Sequence, residues 1–244
     1  MPGLEIVRVP VLADNYAWLL FDAETQEAGV VDPGEAGPVL AAARERGWHL
    51  AQVWLTHWHG DHVGGVKEIK RAMGSQVTGP RAEAGKIEGL DHLVDEGDVI
   101  RLSSHTASVL RVPGHTQGHV AFHFKDDGAL FTGDTLFAMG CGRLFEGTPA
   151  DMWGNMQRYL AMPDKTRVYC GHEYTQSNGR YALTAEPGNT AIEERMRQVD
   201  ALRARGEATV PTTIGEEKAT NPFLRAASAE QLGERRAEKD AFTG

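Results

Sequence analysis

Thr56-His57-Trp58-His59-Gly60-Asp61-His62 follows an apolar run, Val53-Trp54-Leu55, and packs four ligand-type side chains into six residues. The apolar run reads as a buried strand. Side chains alternate along an extended chain, so His57 and His59 leave the strand end in one direction. The turn that follows brings Asp61 and His62 beside them. Burying three histidines and an aspartate without partners is costly, so no hydrophobic core calls for this cluster. Imidazole and carboxylate donors together suit zinc, iron or manganese. The segment predicts a metal site.

Three more ligand candidates stand at predicted strand ends. Pro113-Gly114-His115-Thr116 follows a strand ending at Val112, Thr132-Gly133-Asp134-Thr135 follows Ala129–Thr132, and Cys170-Gly171-His172-Glu173 follows Arg167–Cys170. A sheet edge gathers such residues from distant positions. The resulting set is His57, His59, Asp61, His62, His115, Asp134 and His172. One tetrahedral zinc takes three or four ligands, so this set implies two metals with a carboxylate bridging them. Two metals hold a water between them and lower its pKa from about 16 toward neutrality, which makes hydroxide the nucleophile. The sequence has no Gly-x-Ser-x-Gly elbow that would supply a serine instead. The residues alone therefore point to a binuclear metallohydrolase and leave its substrate open.

At 244 residues the chain has room for one large domain or two smaller ones with a real core. A net charge of −9 and a pI near 5.6 argue against nucleic acid as a partner. Two cysteines, Cys141 and Cys170, make no disulfide framework and read as small buried thiols. Met1–Val11 lacks the pattern of a signal peptide and no run reaches membrane-spanning length, so the expected compartment is the cytoplasm, without membrane contact. Strands are predicted at 4–11, 17–21, 29–31, 99–102, 108–112, 120–124, 129–132 and 167–170, with helices at 39–46, 63–73 and 152–160. Asp32-Pro33-Gly34 reads as a turn. Ala191–Arg205 places Ile192, Met196, Val199 and Leu202 on one helical face, and no strand stands out after residue 172. These changes put a boundary at 172–175, giving a catalytic domain over 1–172 and a mainly helical domain over 173–244. His49, His92, His105 and His123 read as surface or structural. His119 reads either as an orienting partner of a ligand or as a buried structural histidine.

The order Thr56–His62, His115, Asp134, His172 resembles the metallo-β-lactamase superfamily. Further stretches narrow the resemblance to its hydroxyacylglutathione hydrolase (glyoxalase II) family: Gly133–Phe137, Gly140–Gly147, Tyr169–Thr175, Glu186–Asn189, Thr213–Lys218 and Thr220–Arg225. The resemblance implies an α/β fold, an αββα sandwich with the metals at one sheet edge, followed by a C-terminal mainly helical subdomain that binds glutathione. It implies that His57, His59 and His115 bind one metal and Asp61, His62 and His172 the other, with Asp134 bridging. Two divalent ions follow, zinc ahead of iron or manganese. The implied reaction is hydrolysis of the thioester S-D-lactoylglutathione to D-lactate and glutathione, by a metal-bridging hydroxide held by Asp134 and the two metals. The partner is this small molecule, with no nucleic acid, and the chain is expected to be a monomer.

Family binding positions fall on Arg143, Phe145, Tyr174, Arg236 and Lys239. Some family members carry tyrosine where Phe145 stands, and a lost hydrogen bond to a charged group weakens binding by roughly 1.5–3 kcal/mol. The region after His172 holds ten Lys/Arg against twelve Asp/Glu, so capture of an anionic substrate must be local. Competing readings are a lactonase, a nuclease or a mononuclear-iron glutathione persulfide dioxygenase of the same superfamily, and, from another class, a metal-stabilised binding module. The acidic charge disfavours the nuclease, and a ligand set without cysteine disfavours a closed structural zinc site.

Overall fold

The computed structural model describes residues 3–243, which form two compact units. One comprises the chain up to Arg111 together with Gln117–Gly133; the other comprises Val112–Thr116 and the chain from Asp134 onward.

In the first unit, β1 (Glu5–Val11), β2 (Asn15–Asp22) and β3 (Glu27–Val31) form an antiparallel meander. The chain then crosses over through α1 (Ala36–Arg46) to β4 (Leu50–Trp54), which lies parallel to β3. The helices α2 (Gly60–Val63) and α3 (Val66–Met73) lead to β5 (Gln76–Pro80) and β6 (His92–Val94), which extend the parallel part. Val39 and Ala43 of α1 and Val66 and Ile69 of α3 bury against Val9, Leu19, Val30, Val53 and Val77 of this sheet. β2 is buried along its whole length, which explains why NYAWLLFD reads as a nearly unbroken apolar run.

A second antiparallel run, β7 (Val99–Leu102), β8 (His105–Arg111), β9 (Val120–Phe124) and β10 (Ala129–Gly133), completes this unit. The Trp54 ring meets those of Phe122 and Phe124 at 6.0 and 5.7 Å, so β4 packs face to face on β9.

The helix expected over 63–73 is present as α3, beginning three residues later because a turn at Gly64–Gly65 separates it from α2. The Gly65 amide donates to the Pro33 carbonyl at 2.8 Å, and a Cβ at either glycine would collide with the Pro33–Glu35 backbone. Close approach of the 33–35 turn therefore accounts for the glycines between α2, which carries Asp61 and His62, and α3. β5 and β6 went unread in the sequence because a Gly-Pro ending and a three-residue length leave little pattern.

In the second unit β11 (Leu136–Phe137) and β12 (Gly140–Cys141) make a tight hairpin whose turn holds Met139 at a left-handed φ of 58°. Next come α4 (Pro149–Leu160), opened by a capping box between Thr148 and Asp151, and β13 (Arg167–Cys170). Helices α5 (Thr175–Ala185) and α6 (Thr190–Ala204) pack Ala182, Ile192, Met196 and Val199 against Met139. The helix that the apolar spacing predicts over 191–205 is α6, which ends at Ala204, with the Asn189 side chain as the N-cap. The region after 172 is helical except for β14 (Thr212–Thr213), a two-residue strand on β13 too short to leave a pattern. α7 (Ile214–Thr220) and α8 (Ala229–Ala241) follow.

A buried polar hub joins these helices to the hairpin. Glu217 is fully buried; its Oε1 accepts from Arg195 Nη2 and Thr212 Oγ1, both at 2.7 Å, and its Oε2 accepts from the Met139 amide and Asn221 Nδ2, both at 2.8 Å. Asn221 Nδ2 also faces the carbonyls of Phe137 and Gly140, at 3.2 and 3.0 Å.

Candidate metal centre

The first unit contributes His57, His59, Asp61 and His62 from the loop after β4 and from α2. His57 Nε2 lies 3.1 Å from His59 Nδ1, as two ligands aimed at one ion would. Asp61 Oδ2 sits 3.5 Å from His62 Nε2 and accepts from Asn15 Nδ2 at 2.9 Å. The short helix α2 carries both Asp61 and His62.

Asp32, buried at the end of β3, is a functional residue that sequence reasoning took only for part of a turn. Its Oδ1 accepts from the Thr56 amide at 2.8 Å, and its Oδ2 accepts from Thr56 Oγ1 at 2.7 Å and His62 Nδ1 at 3.1 Å. Ligand atoms of Asp32, His57 and His62 lie within 4.8 Å of one another. Because its oxygens are already engaged, we assign Asp32 to orienting His62 rather than to binding the ion. A proton held on His62 Nδ1 leaves the Nε2 lone pair to a metal. His119 is buried with its ring stacked on His57 at 4.6 Å and an interplanar angle of 18°, so it fixes the plane of that ligand.

The second unit contributes His115, Asp134 and His172. Asp134 Oδ2 lies 3.4 Å from His115 Nε2 and 3.3 Å from His172 Nε2, a carboxylate oxygen between two imidazoles. His115 Nδ1 donates to the Arg143 carbonyl at 2.9 Å, which again directs Nε2 toward the carboxylate side. A Cβ on Gly142 would overlap the Asp134 carbonyl and stand 3.0 Å from His115 Nδ1, so only glycine lets this turn fold back over the ligands.

The expected substrate residues of this unit fall into two kinds. Tyr174 stacks on His172 at 4.5 Å and 9°, and Phe145, 60% exposed, sets its ring edgewise to His115 at 5.2 Å. These apolar walls flank the imidazoles. Arg143 is exposed and Lys239 donates to Ser177 Oγ at 2.9 Å. Arg236 is 6% exposed and donates from Nη1 to the Cys141 carbonyl at 2.7 Å.

Both cysteines are buried, and burial pushes the Cys141 thiol up to about 11 and the Cys170 thiol up to about 12. Neither is a thiolate near neutrality, in keeping with their reading as packing groups.

The donor set suits a divalent ion: imidazoles with oriented tautomers and carboxylates beside them, mostly buried, with no thiolate in the set. No described helix is long and apolar enough to cross a membrane.

Comparison with known proteins agrees along the chain. Residues 14–172 match the family described as metallo-β-lactamase superfamily, and residues 173–243 match that described as hydroxyacylglutathione hydrolase C-terminus. A hydroxyacylglutathione hydrolase of Methylococcus capsulatus is 54% identical over 227 residues, covering 93% of this chain and 89% of that protein. One from Maricaulis maris is 49% identical over 225 residues, covering 92% and 88%.

Among solved structures, ETHE1 from Myxococcus xanthus superposes with a TM-score of 0.72 at 24% identity, covering 96% of this chain and 89% of that one. TTHA1623 in a di-iron-bound form gives a TM-score of 0.64 at 28% identity, covering 90% and 99%. The α/β fold expected from the sequence, with a helical C-terminal region, is thereby established. The chain belongs to the metallo-β-lactamase superfamily and, within it, to the hydroxyacylglutathione hydrolase family.

Proposed function

We propose that this protein hydrolyses the thioester S-D-lactoylglutathione to D-lactate and glutathione, the thioesterase reaction of its family. The observation that carries the reading is the ten-residue stretch from Asp134 to Arg143. It begins with a carboxylate oxygen between two imidazoles and ends with a cation whose own carbonyl orients one of them. Metal chemistry and anion recognition thus meet on one short segment, as a negatively charged thioester requires.

His57, His59 and His115 would hold one divalent ion, and Asp61, His62 and His172 a second, with Asp134 shared; zinc, iron and manganese all suit these donors. The ions, when bound, acidify a water and withdraw electrons from the thioester carbonyl. The chain's own part is to keep Nε2 of His62 and His115 unprotonated, through Asp32 and the Arg143 carbonyl, and to hold the imidazole planes through His119 and Tyr174. Phe145 and Tyr174 present aromatic surface beside His115 and His172. Arg143, Arg236 and Lys239 receive the carboxylates of the glutathione half. Glutathione leaves as a thiolate whose pKa is near 8.5–9, so no protonated side chain is needed to expel it. Catalysis falls to residues 1–172, and the helical region over 173–244 adds Tyr174, Arg236 and Lys239 to Arg143 and Phe145 in capturing the substrate. The protein works as a cytoplasmic monomer without nucleic acid or membrane.

The test follows loss of the thioester absorbance on protein whose metal content is assayed in parallel. Rapid turnover with about two metals per chain is expected from the paired ligand sets. Replacing His57 or Asp134 by alanine should remove turnover and lower metal content together; turnover preserved in a metal-depleted variant would overturn the mechanism.

A further inference from the structure

One carboxylate oxygen in the second unit receives two guanidinium groups. Asp240 Oδ1 lies 2.9 Å from Arg236 Nη2 and 3.4 Å from Arg143 Nε. Asp240 sits near the end of α8, one residue after Lys239, so it occupies the cationic patch that should take the substrate's carboxylate.

The cations do not all depend on Asp240 for their position. Arg236 is held by the Cys141 carbonyl at 2.7 Å and by the Phe223 ring, 5.1 Å below its guanidinium carbon. Its Nε, buried, has no hydrogen-bond partner among the described residues. Lys239 is held by the Ser177 carbonyl and hydroxyl at 3.1 and 2.9 Å. Burial lowers the Lys239 pKa, and the neighbouring charges of Arg236, Arg143 and Arg180 lower it further while Asp240 opposes them. The patch is therefore electropositive, and Asp240 is the carboxylate that offsets it. The Asp240 side chain is 42% exposed and that of Arg143 is 63% exposed, so this pair is a weak, exchangeable one.

We infer that Asp240 is an internal counter-ion, seated where a carboxylate of the glutathione half binds and displaced by it, so that it sets substrate affinity. It touches no reacting atom and acts through Arg143 and Arg236; it is a positioning and affinity-setting residue. The inference rests on the thioesterase reading above.

Asp240→Asn keeps the side chain's shape and removes the competing charge. Measured on the full metal-loaded chain, KM for S-D-lactoylglutathione should fall about threefold, the scale of one charge interaction in high dielectric. The fall should shrink as salt is added. It should be absent for the lactoyl thioester of N-acetylcysteamine, which carries no carboxylate. In an Arg143→Gln background the gain should diminish, because one of the two cations that Asp240 offsets is gone. A KM that is unchanged or higher in Asp240→Asn, or that falls equally for the uncharged thioester, overturns the inference. Wild-type protein that hydrolyses neither thioester and binds no S-methylglutathione fails the thioesterase reading itself and removes this proposal with it. Wild-type turnover with an unmoved KM in the variant fails Asp240 alone.

Discussion

Replacing Arg195 by methionine keeps much of the volume of its stem and deletes the guanidinium that neutralises Glu217. The carboxylate is fully buried, and Arg195 itself is nearly so. Removing one partner of a buried ion pair costs about 3–5 kcal/mol, because the other charge stays buried without compensation. Here the stranded carboxylate keeps three donors, Thr212 Oγ1, the Met139 amide and Asn221 Nδ2. That residual solvation places the expected loss at the low end, about 3 kcal/mol. For a chain of this size such a loss shifts the unfolding midpoint by roughly 6–12 °C. Urea and thermal unfolding of the wild type, Arg195→Met, Glu217→Gln and the double variant Arg195→Met/Glu217→Gln provide the assay. The double variant has no buried charge left and should recover part of the loss. A single-variant loss below about 1 kcal/mol, or a double variant as damaged as the sum of both singles, would refute the argument that the hub is held by charge compensation.

Other outcomes follow from the same geometry. Asp32→Asn should weaken metal binding by about 10–100-fold, read by metal titration, since His62 loses the acceptor that holds its Nδ1 proton; unaltered affinity would remove Asp32 from that role. Gly142→Ala should lower metal content and activity because its Cβ meets the Asp134 carbonyl, whereas Gly154→Ala, in α4 with nothing within 4 Å of the added atom, should be neutral or stabilising by about 0.5–1 kcal/mol. Burial raises both thiol pKa values, to about 11 for Cys141 and about 12 for Cys170. Unfolded thiols ionise near 9.0, so this contribution to stability is full below that pH and drains away as pH rises toward 11–12. Cys141→Ala/Cys170→Ala should flatten the alkaline unfolding curve; native thiols that react with a disulfide reagent at pH 8 as fast as unfolded ones would contradict it.

The candidate ligands stand out in the sequence because imidazole and carboxylate crowd at strand ends, where a hydrophobic core has no use for them. The strands were legible where an apolar run is nearly continuous, as in β2 and β9, or alternates with polar residues, as in β7. What escaped was set by tertiary contact. Asp32-Pro33-Gly34 reads as a turn, and only the folded chain shows the Asp32 carboxylate turned back to Thr56 and His62. The Gly64-Gly65 pair is a local sign of a break within Val63–Met73, but what requires glycine there is the backbone of residues 33–35, which only the folded chain brings close. Arg236 sits at the spacing of a solvated helix face, yet the Cys141 carbonyl and the Phe223 ring draw it inside.

Residue 143 does two unrelated jobs with two different parts of itself. Its carbonyl orients His115, a task any amino acid could perform there, while its side chain faces Asp240. The side chain at this position can therefore change without disturbing the contact that orients the imidazole.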